Sequence, residues 1–299
     1  MILRHSLIPL LAIIFQLTGI TSLSAQEYTN YDNLKDSMDY RLMEFYKKNK
    51  HIERNSFQAN LLSELNIENK IFLKTLPPQR RKLLNGKEVY QLCKKSTLVV
   101  CQKGKSSSRF LATAVALTED GICASNYHVF AEVILSNALN GTFQNKFIYF
   151  VLLPNGQAYP LKKVLATDPI NDFTIFQVEM GKDELDPMPL GDAAYEGEDI
   201  YCLSHPQGRL YFLTKGIVAR NHSNVNKENG QIRLEMQITA DYAIGSSGGP
   251  IIDRYGNLIG LVSSTHSVYS APQSTKNLQM TIKNTVPIKL IRNCFILKK

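Results

Sequence analysis

The chain has 299 residues, 44% of them apolar and 20% charged, a balance that excludes a disordered polymer and leaves room for one large domain or two small ones with additions. The formal net charge of +8 raises the question of a nucleic-acid surface, but its distribution argues against one. Residues 26–96 carry 14 Lys/Arg against 9 Asp/Glu, whereas 97–299 carry 19 against 17, so the larger part is nearly neutral.

The chain opens with the short stretch Met1–Ser6, which carries Arg4, then an apolar run from Leu7 to Ile20 and the small residues of Thr21 to Ala25. This order predicts a secretory signal peptide over residues 1–25, cleaved after Ala25, with cleavage after Ser24 as the alternative. The run is short for a bilayer span of about 20 residues, so no membrane anchor is expected. The reading places the mature protein outside the cytoplasm, secreted or periplasmic.

From Tyr31 to Lys74 the apolar spacing is helical, through Leu34, Met38, Leu42 and Phe45 and then Leu61 and Leu65. Asp32 is a candidate cap for a first helix, and Asn55 or Ser56 for a second. Pro77-Pro78 ends this region, and Gln79 to Lys87 reads as a basic connector. A helical segment over 26–96 is therefore expected, its apolar stripes needing a surface to cover.

Beyond Thr97 the texture changes to short β-runs. Leu98–Val100, Phe110–Leu117, Phe147–Leu152, Phe173–Val178, Tyr211–Ala219, Ile232–Thr239 and Leu258–Ser263 read as strands, and another begins after Gly121 and closes over Ser125–Val129. Turn signals such as Glu119-Asp120-Gly121 and Pro154-Asn155-Gly156 separate them. With helix expected only near Val286–Leu297, the pattern points to an all-β barrel or sandwich rather than to βαβ units. Five cysteines make disulfides conceivable in an exported chain, but an odd count leaves at least one thiol without an intramolecular partner. No C-x-x-C pair occurs, so neither a zinc site nor a dithiol redox motif is supported.

The sharpest local signal is Gly245-Ser246-Ser247-Gly248-Gly249-Pro250. A nucleophilic serine needs an exposed hydroxyl on a tight turn with backbone N–H groups aimed at the developing oxyanion, and flanking glycines permit the angles. The segment also fits G-x-S-x-G, the elbow of α/β-hydrolases. In that fold the acid and the histidine follow the serine. The 52 residues after Ser247 offer only Asp253, too close in sequence, and His266, and they read as a hairpin. Upstream partners fit better. His128 ends one strand region, and Asp172 opens another, preferred to the turn residue Asp168. His205, His222 and His266 lie in loop-like sequence and read as surface or packing residues.

The order His128, Asp172, Ser247 together with Gly245-x-Ser247-Gly248-Gly249 resembles the trypsin/chymotrypsin-like serine peptidases, and more closely their bacterial HtrA/Deg-type branch. The likeness extends over most of residues 97–291, through Thr167-Asp168-Pro169-Ile170-Asn171-Asp172, Ser204-His205-Pro206-Gln207-Gly208 and Gln279–Pro287. It implies a double six-stranded antiparallel β-barrel of the chymotrypsin-like kind over 97–299, with a short C-terminal helix.

The resemblance also implies hydrolysis of polypeptides through an acyl-enzyme. Ser247 would be the nucleophile, His128 the general base, Asp172 its orienting carboxylate, and the N–H groups of Gly245 and Ser247 the oxyanion hole, with no metal or cofactor. A non-catalytic or chaperone-like binder on the same fold is the alternative. Asp241, six residues before Ser247, stands where trypsin-like enzymes place an acid at the base of the specificity pocket, which would favour cleavage after Arg or Lys. Ser246 occupies a slot the family fills with Asp or Asn, so activation through a buried pair with a new N-terminus is not expected. The branch commonly carries a C-terminal PDZ peptide-binding domain, and none is expected here.

Overall fold

The computed structural model describes residues 28–48, 71–73, 75–104, 108–138, 148–271 and 275–297. The expected signal peptide and second helix lie outside the described residues. From Tyr31 onward the chain forms one compact unit. Its frame is two closed six-stranded barrels, antiparallel throughout.

The first barrel closes β2 (Thr97–Lys103), β3 (Ser108–Ala116), β4 (Ile122–Ser125), β7 (Phe173–Val178), β6 (Ala158–Asp168) and β5 (Ile148–Leu152), in that order. The second closes β10 (Ile232–Ile238), β13 (Leu278–Pro287), β12 (Leu258–Tyr269), β11 (Pro250–Ile252), β8 (Asp199–Ser204) and β9 (Phe212–Val225). Strand periodicity explains how the first barrel is covered. All seven residues of β2 are buried, because the pleat sends Leu98 and Val100 into one apolar cluster and Val99 and Cys101 into another. The second of these clusters also takes in Leu258 and Leu261 of the other barrel, together with Met38, Leu42, Val89 and Cys93 from the N-terminal segment.

Helix α1 (Tyr31–Lys48) lays Met38 and Leu42, at i and i+4, onto that shared core. Asp32 falls inside its first turn rather than at the cap, where its charge still opposes the positive end of the helix. Asp39 accepts a hydrogen bond from Ser108 of β3, and Arg41 donates to the Asn155 carbonyl at 3.2 Å.

Four local expectations are corrected. The connector Gln79–Lys87 contains the start of a helix, α2 (Gly86–Cys93), set by a capping box in which Asn85 accepts from Glu88 N–H and the Glu88 carboxylate accepts from Asn85 N–H. The run Ser125–Val129 leaves the strand at Ser125 and continues as helix α3 (Tyr127–Ala138). The C-terminal helix is only α4 (Ile288–Asn293), because Val286 and Pro287 still belong to β13, and Phe295–Leu297 forms β14. Strand β1 (Ile71–Leu73), read as helical from its local spacing, pairs in parallel with β14. That pairing joins segments far apart in sequence, which local periodicity does not report.

The basic connector is fixed on the second barrel. Asn257 accepts from Gln79 N–H and donates back to its carbonyl, Leu84 N–H donates to Arg254 O, and Asp192 bridges Arg80 and Arg292.

None of the five cysteines is bridged to another, and all are buried. Burial pushes the Cys93 and Cys202 thiols up to about 12, so the reactive thiolate is scarce at neutral pH. The native protein is therefore expected to be inert to a water-soluble aromatic disulfide reagent, with all five thiols reacting once guanidinium unfolds it. Rapid reaction of any thiol in the folded protein, or fewer than five after unfolding without reductant, would contradict this account.

Candidate active site

The first barrel supplies a carboxylate and an imidazole. Asp172 lies in the β6–β7 turn with φ of 59°, a left-handed conformation that Asp tolerates better than most residues. The turn is held by Asp168, whose carboxylate accepts from the N–H groups of Ile170 and Asn171 and from the Asn171 amide. Asn126, between β4 and α3, donates its amide to the Asp172 carbonyl at 2.8 Å. His128 sits in the first turn of α3, its side chain 49% exposed.

Asp172 accepts from three directions. His128 Nδ1 lies 2.9 Å from Oδ1 and 3.0 Å from Oδ2, His128 N–H donates to Oδ1 at 3.1 Å, and the Ser263 hydroxyl donates to Oδ2 at 2.6 Å. Burial pushes the Asp172 carboxyl pKa up, but the hydrogen bonds from His128 and Ser263 and the nearby imidazole outweigh it and hold the pKa below the usual value. The group is a carboxylate across the neutral range.

The second barrel supplies the hydroxyl. Ser247 Oγ lies 3.0 Å from His128 Nε2. With the carboxylate on the Nδ1 side, the neutral ring keeps its proton there and turns the Nε2 lone pair toward the hydroxyl. The structure thus brings His128, Asp172 and Ser247 into one chain of contacts that can take a proton from Ser247.

Around Ser247 the loop is tightly constrained. Gly245 has φ of +94°, and a Cβ there would stand 2.7 Å from the His205 carbonyl. Gly248 has φ of +77°, and a Cβ would meet Ser125 Oγ at 2.2 Å and the Thr113 carbonyl at 2.3 Å. Gln207 N–H donates to the Ile244 carbonyl at 2.6 Å, which fixes the plane of the Ile244–Gly245 peptide. Ser246 and Gly248 spend their N–H groups on Ala243 O and Val262 O. Among the described residues the N–H groups of Gly245 and Ser247 donate to no protein acceptor, so both remain available to an incoming oxygen.

Thr113 of β3, which the sequence did not single out, ties this loop to the first barrel. Its N–H donates to Ser247 O at 2.9 Å and its hydroxyl donates to Gly245 O at 3.0 Å while accepting from His205 N–H at 3.3 Å. Ser263 was equally silent; the only signal was a polar residue closing the apolar run Leu258–Val262. Ser246 is fully buried, its hydroxyl accepting from Ser204 Oγ at 2.9 Å, so the slot holds a neutral pair rather than a carboxylate.

Two sequence readings are corrected here. Asp241 is not a desolvated pocket base: its side chain is 85% exposed, and its carboxylate lies 3.4 Å from Lys283 Nζ. His222 and His266 lie in β9 and β12, not in loops. His205 is buried, its Nδ1 accepting from Tyr211 N–H at 3.0 Å and its ring edge-on to Tyr211.

No described group of three or more His, Cys, Asp or Glu side chains is arranged to hold a metal ion. Residues 112–261 match the model of the trypsin-like peptidase domain, and the chain belongs to that family. Its relatives are HtrA/Deg-type. The chain is 30% identical to Protease Do-like 5, chloroplastic, of Arabidopsis thaliana over 43% of its own length and 42% of that protein's. It is 29% identical to Serine protease Do-like HtrB of Bacillus subtilis over 38% of its length and 26% of that protein's. The chain thus spans less than half of either relative. Among solved structures, Deg5 aligns with a TM-score of 0.52 at 22% identity, covering 70% of this chain and 93% of Deg5. The HtrA-type protease AlgW with a decapeptide aligns at 0.53 and 19% identity, covering 69% of this chain and 65% of AlgW.

Burial pushes the His205 imidazole pKa down to about 3, offset only in part by the Leu98 main chain. The unfolded histidine binds a proton below its ordinary value near 6.5, whereas the folded one stays neutral until about 3, so this residue costs stability as pH falls through that window. His205→Asn is expected to flatten the fall of unfolding free energy by up to about 1.4 kcal/mol per pH unit there. Urea unfolding at about pH 7 and pH 4.5 reads this; equal slopes in variant and wild type would contradict a buried neutral His205.

Proposed function

We propose that this chain is a serine endopeptidase, exported by its N-terminal signal sequence, that cleaves polypeptides through an acyl-enzyme. The observation that carries the reading is the 3.0 Å approach of His128 Nε2 to Ser247 Oγ with Asp172 on the far side of the ring. His128 takes the Ser247 proton as Oγ attacks the peptide carbonyl, and the C–N bond then breaks as the imidazolium returns that proton to the leaving amine. Water, activated by the same imidazole, hydrolyses the ester and restores the hydroxyl. The negatively charged Asp172 stabilises the imidazolium formed in each half.

The carbonyl oxygen gains charge in both tetrahedral intermediates. The Gly245 and Ser247 N–H groups, which donate to no protein acceptor among the described residues, are the donors proposed to receive it, each such donor being worth about 3 kcal/mol. Export, with polypeptide as the partner, is supported by the signal-peptide-like order of residues 1–25 in the sequence. No described helix is long and apolar enough to cross a membrane.

Ser247→Ala and His128→Ala are each expected to lower kcat/KM on a fluorogenic peptide by about 10⁴-fold or more while leaving the melting temperature within a few degrees of wild type. The measurement uses the mature protein from Gln26, with wild type labelled by a fluorophosphonate and Ser247→Ala unlabelled. Residual turnover within about tenfold of wild type, or unlabelled wild type, would contradict the assignment.

A further inference from the structure

Between β8 and β9 the chain turns through residues 205–211, and this turn touches the Ser247 loop twice. Gln207 N–H donates to the Ile244 carbonyl at 2.6 Å, and the His205 carbonyl fills the place that a Cβ on Gly245 would take. The turn itself is held in an unfavourable form. Among the described residues four other than glycine have a left-handed backbone, and two of them are here, Gln207 with φ of 50° and Tyr211 with φ of 56°. For a bulky aromatic this conformation is an outlier, and such residues persist only where their surroundings over-determine them.

Tyr211 is fixed from two sides. On the barrel side its N–H donates to His205 Nδ1 at 3.0 Å, and the two rings meet edge-on with centroids 4.8 Å apart. On the other side stands the N-terminal segment. Tyr211 is buried in the apolar cluster to which α1 contributes Met38 and Leu42 and α2 contributes Val89 and Cys93. Lys94, which ends α2, places Nζ 4.9 Å from the centre of the Tyr211 ring and 5.5 Å from that of Tyr90. Tyr90 is tied in turn to Tyr31 of α1, hydroxyl to hydroxyl at 3.1 Å. A cation over an aromatic face is attracted by the negative face of the ring. The Tyr211 hydroxyl is buried and finds no hydrogen-bond partner among the described residues, so the residue is held by its ring and its main chain.

We propose that Lys94 and Tyr211 are positioning residues for the oxyanion hole, through which the N-terminal segment sets the Ile244–Gly245 peptide. This rests on the serine-peptidase reading of Ser247. Lys94 seats the Tyr211 ring, Tyr211 fixes His205 and closes the turn, and the closed turn presents Gln207 N–H to the Ile244 carbonyl. A released ring lets the turn leave its left-handed form, and the peptide that carries the Gly245 N–H loses its fixed plane. His128 and Asp172 are held on the first barrel by contacts of their own, so the titration of the imidazole does not follow.

Steady-state kinetics of the mature protein on a fluorogenic peptide separate positioning from general destabilisation. Lys94→Met keeps the aliphatic stem and removes the cation, and Lys94→Arg restores it. Lys94→Met is expected to lower kcat at least about threefold with KM within about twofold, while Lys94→Arg stays close to wild type. The midpoint of the acid limb of kcat/KM against pH, set by His128, should be the same in all three proteins. Tyr211→Leu should lose more than Lys94→Met, whereas Tyr211→Phe, which keeps the ring, should match wild type. If Tyr211→Leu does not fold, the Lys94 pair carries the test alone. A smaller loss in Lys94→Met, a loss that falls on KM or that Lys94→Arg does not restore, or a shifted midpoint would overturn the proposal. Fluorophosphonate labelling of wild type reports separately on Ser247. Unlabelled wild type would remove the catalytic reading and this proposal with it, whereas labelled wild type beside an unaffected Lys94→Met would remove the positioning role alone.

Discussion

The site depends on holding two barrels in register at one point, and Thr113 makes that junction. The imidazole and carboxylate belong to the first barrel and the hydroxyl to the second, so a relative shift of even 1 Å would break the contact between His128 and Ser247. Thr113 fastens the seam with both its main chain and its side chain. Its N–H holds Ser247 O, its hydroxyl links His205 N–H to Gly245 O, and its carbonyl accepts from Ser125 Oγ at 2.7 Å. All of these groups are buried or partly buried, where a polar atom left without a partner costs about 1–3 kcal/mol. The arrangement is consequently all-or-none: losing one bond strands its neighbours.

Around that seam each constraint serves the loop that carries Ser247. Gly248 has no side chain because Ser125 and Thr113 already fill the space, and Gly245 because the His205 carbonyl does. The turn at Pro206–Gly208 brings Gln207 N–H to the Ile244 carbonyl and so fixes that peptide, leaving the Gly245 N–H on its opposite edge. Buried Ser246 and Ser204 complete the support with neutral hydroxyls, which avoids desolvating a charge. On the first barrel the opposite choice is made: Asp172 is charged and largely buried, tolerable because three donors converge on it. The apolar cover from α1, α2 and the connector then packs the outer face of the barrels.

How much of this was legible in the sequence follows from whether the cause was local. Phe173–Val178 could be read to the residue because an apolar run between turn signals defines a buried strand. His128, Asp172 and Ser247 could be picked out because the glycines around Ser247 are a local signal and the order of the three resembles that of the trypsin-like peptidases, and the folded chain brings the three into contact. Helix α2 was readable in principle from Asn85-Gly86-Lys87-Glu88, but the basic residues around it masked the capping box. Helix α3 was obscured by the β-branched and aromatic residues at its start. The β1–β14 pairing, Ser263 and Thr113 act across long separations, and nothing in their neighbours announces it. Asp241 shows the converse: its offset from Ser247 suggested a pocket base, yet only the neighbouring Lys283 and its solvent exposure decide what it does.

The most direct measurement of the central claim is the rate constant of fluorophosphonate labelling for Thr113→Val beside Thr113→Ser. Valine preserves shape but removes the hydroxyl, leaving Gly245 O and His205 N–H without their link, whereas serine preserves it. The account predicts that Thr113→Val labels about 10–100-fold more slowly than wild type while Thr113→Ser stays within about threefold, both remaining folded. Equal labelling rates for valine, serine and wild type would contradict the claim that this hydroxyl holds the site in its working geometry.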